Sequence, residues 1–449
     1  MGTDLHQRGG WLLTSIFILA PIIAAGDDNT GSSPSAANPT DKVEEKSLAF
    51  KYQYLLQTFA AVNDIPYQSS FNPNNSLANF PNYEQSSLIR SKFSVGYGNW
   101  IGKISPYVGY VVSSHSDQSD KVNGIDYFQD WNAEYRADTF SLSYSRELLY
   151  WGPSIFASPS NLFFANSNQT NPFIPPGAGD FIQFRYFPNY SDTISIIANI
   201  ARGREDIYWY PQFTKGFAIK ADHRGDEFAL SGVIAYRDSE DLPQFGSYGQ
   251  WTASDSMLFY YDAGISFKGY GLYPIASNNP IGYEFAPEGN GHRVFGEALV
   301  GGSYTTSRGD VLNLEYRYYS QGYTNSESSA YYQMASNAAA MLSDPDAGSK
   351  ALAMQTLGQA SQVYLRTLNQ HYIYASIRTR EIVKDLSLYL LMSFNVQDGS
   401  AQLVPIMEYN LFGRVNLATD FVFNLGGPDT EYGRYINSTI FVGLKYYSD

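Results

Sequence analysis

The chain of 449 residues is 44% hydrophobic yet only 16% charged, has 38 Tyr and 28 Phe against 6 Trp, and lacks cysteine. An average soluble domain has roughly 25% charged residues, so an ordinary soluble α/β enzyme is disfavoured, and the missing cysteines exclude disulfide scaffolds, Cys-ligated zinc, Fe–S clusters and thiol nucleophiles. A net charge of −14 argues against a nucleic-acid partner, and a mean hydropathy of −0.29 without repeated long apolar runs excludes a polytopic helical membrane protein.

The first predicted element is a signal peptide over 1–25. Arg8 precedes an apolar stretch from Trp11 to Ile23 that ends at Ala24, Ala25 and Gly26. A basic flank, a short apolar core and small residues behind it describe an export signal, with cleavage expected near Ala25; Pro21 and the short core suit an N-terminal anchor poorly. Residues 26–46, rich in Asp, Asn, Ser, Pro, Thr and Glu, read as a flexible linker.

From 47 to 449 the hydrophobicity alternates with period two. Phe50, Tyr52 and Tyr54 alternate with Lys51 and Gln53; Ile89, Phe93, Val95 and Tyr97 lie opposite Leu88, Arg90, Lys92 and Ser94. The pattern recurs around residues 104–112, 140–144, 194–200, 228–236, 259–267, 312–318, 386–394 and 440–446. Such alternation means strands with one apolar and one polar face. Several reach about 10 residues, longer than sandwich strands usually are. Short polar turns (98–99, 137–139, 189–191, 224–226, 307–310, 411–413) also alternate with long polar segments (61–85, 150–179, 238–255, 321–368). The expected fold is therefore all-β: an antiparallel transmembrane β-barrel, apolar residues facing lipid and polar ones facing the lumen.

Alternating turn lengths fix strand direction. On this reading the strands at 256–268 and 292–306 both descend, so a rising strand is expected between them, best placed at Gly271–Ala276 despite Pro274. The total is then about 18, with 16 as the alternative, and single-chain bacterial barrels have even numbers. Within 326–366, Ser328–Leu342 and Ala351–Leu365 are rich in helix formers and flank the turn Asp344-Pro345-Asp346. A helical hairpin inserted in one external loop is expected, either capping the wall or acting as a plug or partner-docking element.

Histidines His115, His223, His292 and His371 are scattered, and none has a partner at catalytic or metal-ligand spacing. No enzymatic activity, cofactor or metal is expected. The polar strand faces are more informative, because Lys or Arg on a lipid face costs roughly 2–4 kcal/mol at the midplane. Arg90, Lys92, Lys103, Glu134, Arg136, Glu147, Arg185, Asp262, Glu315, Arg317, Arg378 and Glu408 are therefore expected to face inward and line a pore, some pairing as cross-strand ladders.

The long segment from Glu147 carries Trp151-Gly152-Pro153-Ser154 and then Ser158-Pro159-Ser160-Asn161-Leu162-Phe163-Phe164. An aromatic, proline-stiffened loop is poorly suited to free exposure. Trp151, Gly152, Pro153, Ser154, Pro159, Asn161 and Phe163 are accordingly expected to fold into the barrel mouth and constrict it. This stretch resembles a loop of alginate-export-like and related outer-membrane porin families, and Asp398–Tyr409 looks like the penultimate hairpin of such barrels. The resemblance implies a Gram-negative outer-membrane channel, without polyanion export, since the inward charges are of mixed sign.

The sequence thus predicts an exported outer-membrane porin that passes small hydrophilic solutes or ions by diffusion, with outer-membrane lipid as its surroundings. The alternative is a surface receptor or an assembly or export platform with a plugged lumen; an enzyme acting on lipid or peptide is third. Solute identity and oligomeric state are not encoded in any motif.

Overall fold

The computed structural model describes residues 48–115, 120–161, 163, 178–204, 214–238, 240, 242–287 and 294–448. The expected signal peptide, the whole of the expected linker, His292 and the Leu162 and Phe164 positions of the mouth loop lie outside these residues.

The strands are β1 (Leu48–Asp64), β2 (Tyr83–Tyr97), β3 (Trp100–Ser114), β4 (Lys121–Arg136), β5 (Phe140–Glu147), β6 (Gly179–Tyr186), β7 (Asp192–Ala201), β8 (Gly216–Arg224), β9 (Phe228–Arg237), β10 (Gln244–Ser254), β11 (Met257–Ser266), β12 (Leu272–Ala276), β13 (Tyr283–Pro287), β14 (Phe295–Thr305), β15 (Val311–Tyr319), β16 (His371–Val383), β17 (Leu386–Asn395), β18 (Ala401–Phe412), β19 (Val415–Leu425) and β20 (Ser438–Tyr447). Helices α1 (Asn325–Met341) and α2 (Ala347–Ala360) lie between β15 and β16. Eighteen strands form one sheet, and β12 and β13 form a separate pair. Each barrel strand pairs antiparallel with its neighbours along the chain. β1 pairs with both β2 and β20, from Leu55↔Tyr447 to Asp64↔Ser438, which closes the barrel and leaves no free edge.

Period-two partition explains why these residues make this wall. Phe50, Ile196, Ile219, Val300 and Leu314 point outward and are exposed, whereas Ser141, Ser143, Ser145, Ser195 and Ser231 point inward and are buried. A continuous apolar exterior around a polar interior fits a bilayer, not water. At the short-turn end the outward aromatics pair, as in Trp100–Tyr135 at 5.1 Å and Trp251–Phe259 at 6.0 Å, the place of an interfacial girdle.

The expected count of 18 holds, but the strand expected at 271–276 is not in the wall. Its residues form β12, paired with β13 outside the barrel sheet, and Pro274 has no N–H to donate to a ladder. The strand that restores parity is β10, inside the segment read as a long loop at 238–255. Its outward row of Phe245, Ser247, Gly249 and Trp251 alternates too weakly to stand out. With β10 in place, β11 rises instead of descending, and β14 descends as expected.

The helical hairpin occupies the expected loop. Thr324 and Glu327 form a reciprocal capping box at the start of α1. Asp346, read as part of a turn, caps α2 by accepting from the Ser349 N–H at 2.7 Å, so α2 begins earlier than expected. One face of α1 (Tyr331, Met334, Ala335, Ala338) joins Leu357 of α2, Phe71 of the 65–82 loop and Tyr435 of the 426–437 loop in a single apolar cluster. That cluster continues onto inward wall residues Tyr372, Leu391, Val404, Val422 and Phe441 of β16–β20. The hairpin is thereby seated on one side of the barrel's long-loop end.

Candidate functional site

The segment 148–163 leaves the top of β5 and turns into the barrel. Gly152 makes the turn with φ +91°, in the left-handed region, and a methyl group there would overlap the Asp262 carboxylate. Trp151 is buried against Phe163, ring centroids 6.1 Å apart, and Phe163 packs edge-on against Phe181 of β6 at 5.5 Å. These rings join Ile197, Ala218, Val233 and Ala235 on β7–β9. Asn161 ties the segment to itself: its Nδ2 donates to the Leu149 carbonyl at 2.9 Å and its Oδ1 accepts from the Phe163 N–H at 3.0 Å.

Beyond Gly152 the segment reaches the opposite wall. Ser154 Oγ and the Ile155 N–H donate to Glu315 of β15 at 2.9 and 2.8 Å, and Phe156 stacks on Tyr374 of β16 at 4.7 Å. Ser158 Oγ and the Ser160 N–H donate to Asp262 of β11 at 3.0 and 2.7 Å. From β5, the pairings run through β6, β7, β8, β9, β10, β11 and β14 to β15, eight steps around an eighteen-stranded ring. The loop is therefore a chord close to a diameter.

Asp262 and Glu315, expected among the pore-lining charges, point inward but are buried beneath the loop and meet its donors instead of water. Arg317 is also buried, with its guanidinium 2.7 Å from Glu297 of β14, which in turn binds Arg366 at 3.1 Å. Arg366 extends to the Asn161 carbonyl at 3.4 Å, so this triad links the wall, the post-α2 segment and the loop. Arg90 pairs with Asp130 at 3.5 Å and Glu134 with Arg136 at 2.9 Å. Glu147 accepts from Ser145 and Gln183; Arg185 donates to Gln183 at 3.0 Å; Glu408 pairs with Lys445. Lys103, Arg136 and Arg378 are on inward positions and exposed, while Lys92 is half-buried. Pro153 is half-buried at the start of the crossing, and Pro159 is buried against the wall.

Sequence reasoning did not identify Glu297, Arg366, Phe156, Ser158 or Ser160 as site residues. Glu297 is flanked on its inward row by Phe295 and Leu299, both buried, which disguises that row as lipid-facing. Among the described residues the histidines do not converge: His223 contacts Asp192 in a short-turn corner, and His371 contacts Tyr316 on the outer face. Among the described residues no group of three metal-ligating side chains occurs.

No protein-family model matches the chain, and no curated protein matches it by sequence. Solved structures do. OprD of Pseudomonas aeruginosa matches with TM-score 0.50 and 10% identity over 89% of this chain and 95% of that one. OccK11 (OpdR) of the same organism gives 0.50 and 11%, over 89% and 95%. Acinetobacter baumannii OccAB1 gives 0.52 and 10%, over 89% and 97%. At such identities the likeness speaks to fold, and it covers each neighbour almost end to end: the chain has the barrel fold of the Pseudomonas aeruginosa outer membrane protein OprD.

Proposed function

We propose that this barrel is a Gram-negative outer-membrane channel through which small hydrophilic solutes or ions pass by diffusion, narrowed by the 151–163 segment. The chord from β5 to β15 is the observation that carries the reading. A loop used only to cover the mouth has no need of hydrogen bonds to mid-strand carboxylates six and eight strands away. The inward, exposed Lys103, Arg136 and Arg378 supply a polar wall for a hydrated path beside that chord. The segment Trp151–Phe163 is the constriction, and the twelve inward charges divide between setting the field of the path and holding the loop.

A plugged barrel serving as a receptor or assembly platform is the second reading. The apolar cluster of α1, α2 and the 65–82 and 426–437 loops, which fills part of the long-loop end, favours it. Liposome swelling separates the two. Proteoliposomes that swell in small sugars or amino acids support the channel; liposomes that stay tight to every small solute support the plug.

A further inference from the structure

We infer that Asp262 and Glu315 are positioning residues that fasten the 151–163 segment to the far wall, so that the opposite side of the barrel, not the strands bearing the loop, sets the width of the passage. Their effect on solutes presupposes the channel function proposed above; the fastening itself does not.

Both oxygens of each carboxylate are engaged. Asp262 Oδ1 accepts from the Ser160 N–H and Oδ2 from Ser158 Oγ. Glu315 Oε1 accepts from the Ile155 N–H and from Tyr260 Oη at 2.8 Å, and Oε2 accepts from Ser154 Oγ. Among the described residues no cation pairs with either group. Donors from the loop, joined at Glu315 by the wall residue Tyr260, compensate two carboxylates that the loop itself shields from water, and charge-assisted hydrogen bonds of this kind are the strong ones. The donors lie at 154, 155, 158 and 160, flanking Phe156, whose ring is stacked on Tyr374 between the two clamps. The wall is also cut to fit: Gly246 and Gly264 are register partners on β10 and β11, and the backbone of Pro159–Ser160 lies against both. Carboxylates, glycines and ring converge on one stretch of loop from four different strands, β10, β11, β15 and β16, and hold it at a fixed depth.

The absence of cysteine in the chain makes a direct test available. In the full-length protein refolded in detergent, Ala157→Cys reports loop detachment through its labelling rate with a water-soluble maleimide. Adding Asp262→Asn and Glu315→Gln replaces acceptors with amide donors and should raise that rate about tenfold or more, the worth of losing a hydrogen bond to a charged group. Gly264→Ala, which keeps both carboxylates but pushes against the Pro159 carbonyl, should raise it too. In planar bilayers the same variants should show larger and noisier conductance steps. In a separate variant, Ser158→Cys with Asp262→Cys, the reduced form should behave like the unclamped protein and the oxidised form should restore the unmodified conductance, a rescue that general destabilisation does not produce. Asp262→Asn alone serves if the double carboxylate variant does not fold. Equal labelling rates in clamped and unclamped forms would overturn the inference. Raised labelling with bilayers that stay sealed for every form would leave the clamp standing and sink the channel reading.

Discussion

Glu315 on β15 accepts hydrogen bonds from Ser154 and Ile155, residues 161 and 160 positions earlier that follow β5. Because β5 and β15 lie almost opposite one another in the ring, the segment after β5 must cross the lumen to make this contact. That contact turns a surface connection into an internal partition, and the consequences below follow from it.

Gly152→Ala should loosen the start of the crossing without harming the barrel. A non-glycine residue at φ +91° costs of order 1–3 kcal/mol, and the added methyl meets the Asp262 carboxylate. Limited proteolysis should cut within 151–163 faster than in the unmodified protein, with unchanged heat-modifiable migration on gels. Equal cutting rates would show that the turn does not depend on glycine.

Breaking the Glu297–Arg317 pair should be costly in single variants and milder in the double. Arg317 is 2% exposed and its partner 10% in their side chains, and stranding one buried charge typically costs about 3–5 kcal/mol. Arg317→Met and Glu297→Gln should each lower the thermal midpoint in detergent, and the double variant should lower it by clearly less than the sum of the two single effects. An additive double variant would mean that Arg366, which also binds Glu297, carries the contact instead.

Acid should stabilise the mouth through Glu431. This carboxyl, in the 426–437 loop, is raised above the ordinary glutamate value of 4.5, chiefly by burial and then by the nearby Asp398. It accepts from the Asn395 amide at 2.8 Å and the Leu368 N–H at 2.9 Å. A folded-state value above the unfolded one gives stability that is complete below 4.5 and fades as pH climbs through the raised value. The difference in thermal midpoint between the unmodified protein and Glu431→Gln should therefore shift in favour of the unmodified protein as pH drops from neutral towards 4.5. A pH-independent difference would contradict this.

Lys103 should influence ion preference. It is inward and exposed, its cross-strand neighbours Ser94 and Asn132 are neutral, and Arg136 is exposed on the adjoining strand. In a salt gradient, Lys103→Glu should shift the reversal potential towards cations. An unchanged potential would place the conducting path away from β2–β4.

The wall was legible because lipid imposes one uniform demand on every second residue. Where that demand relaxes, the reading failed: β10 carries Ser247 and Gly249 among its outward positions, and its inward Gly246 is small because the loop presses on it. The same contact that hid the strand is part of the site. Asp262 and Glu315 were readable as inward charges, yet their loop partners lie more than 100 residues away along the chain, a distance that no local pattern spans. Trp151, Gly152 and Asn161 stood out because aromatic, glycine and proline residues cluster there; Ser158 and Ser160 look like any loop serines until the carboxylates are seen beside them.

Single-channel recording on the full-length protein in planar bilayers tests the central claim most directly. The account predicts discrete conductance steps in simple salt, and larger steps when residues 152–164 are deleted with the barrel intact. Bilayers that remain sealed for both proteins, with correct folding confirmed, would contradict it.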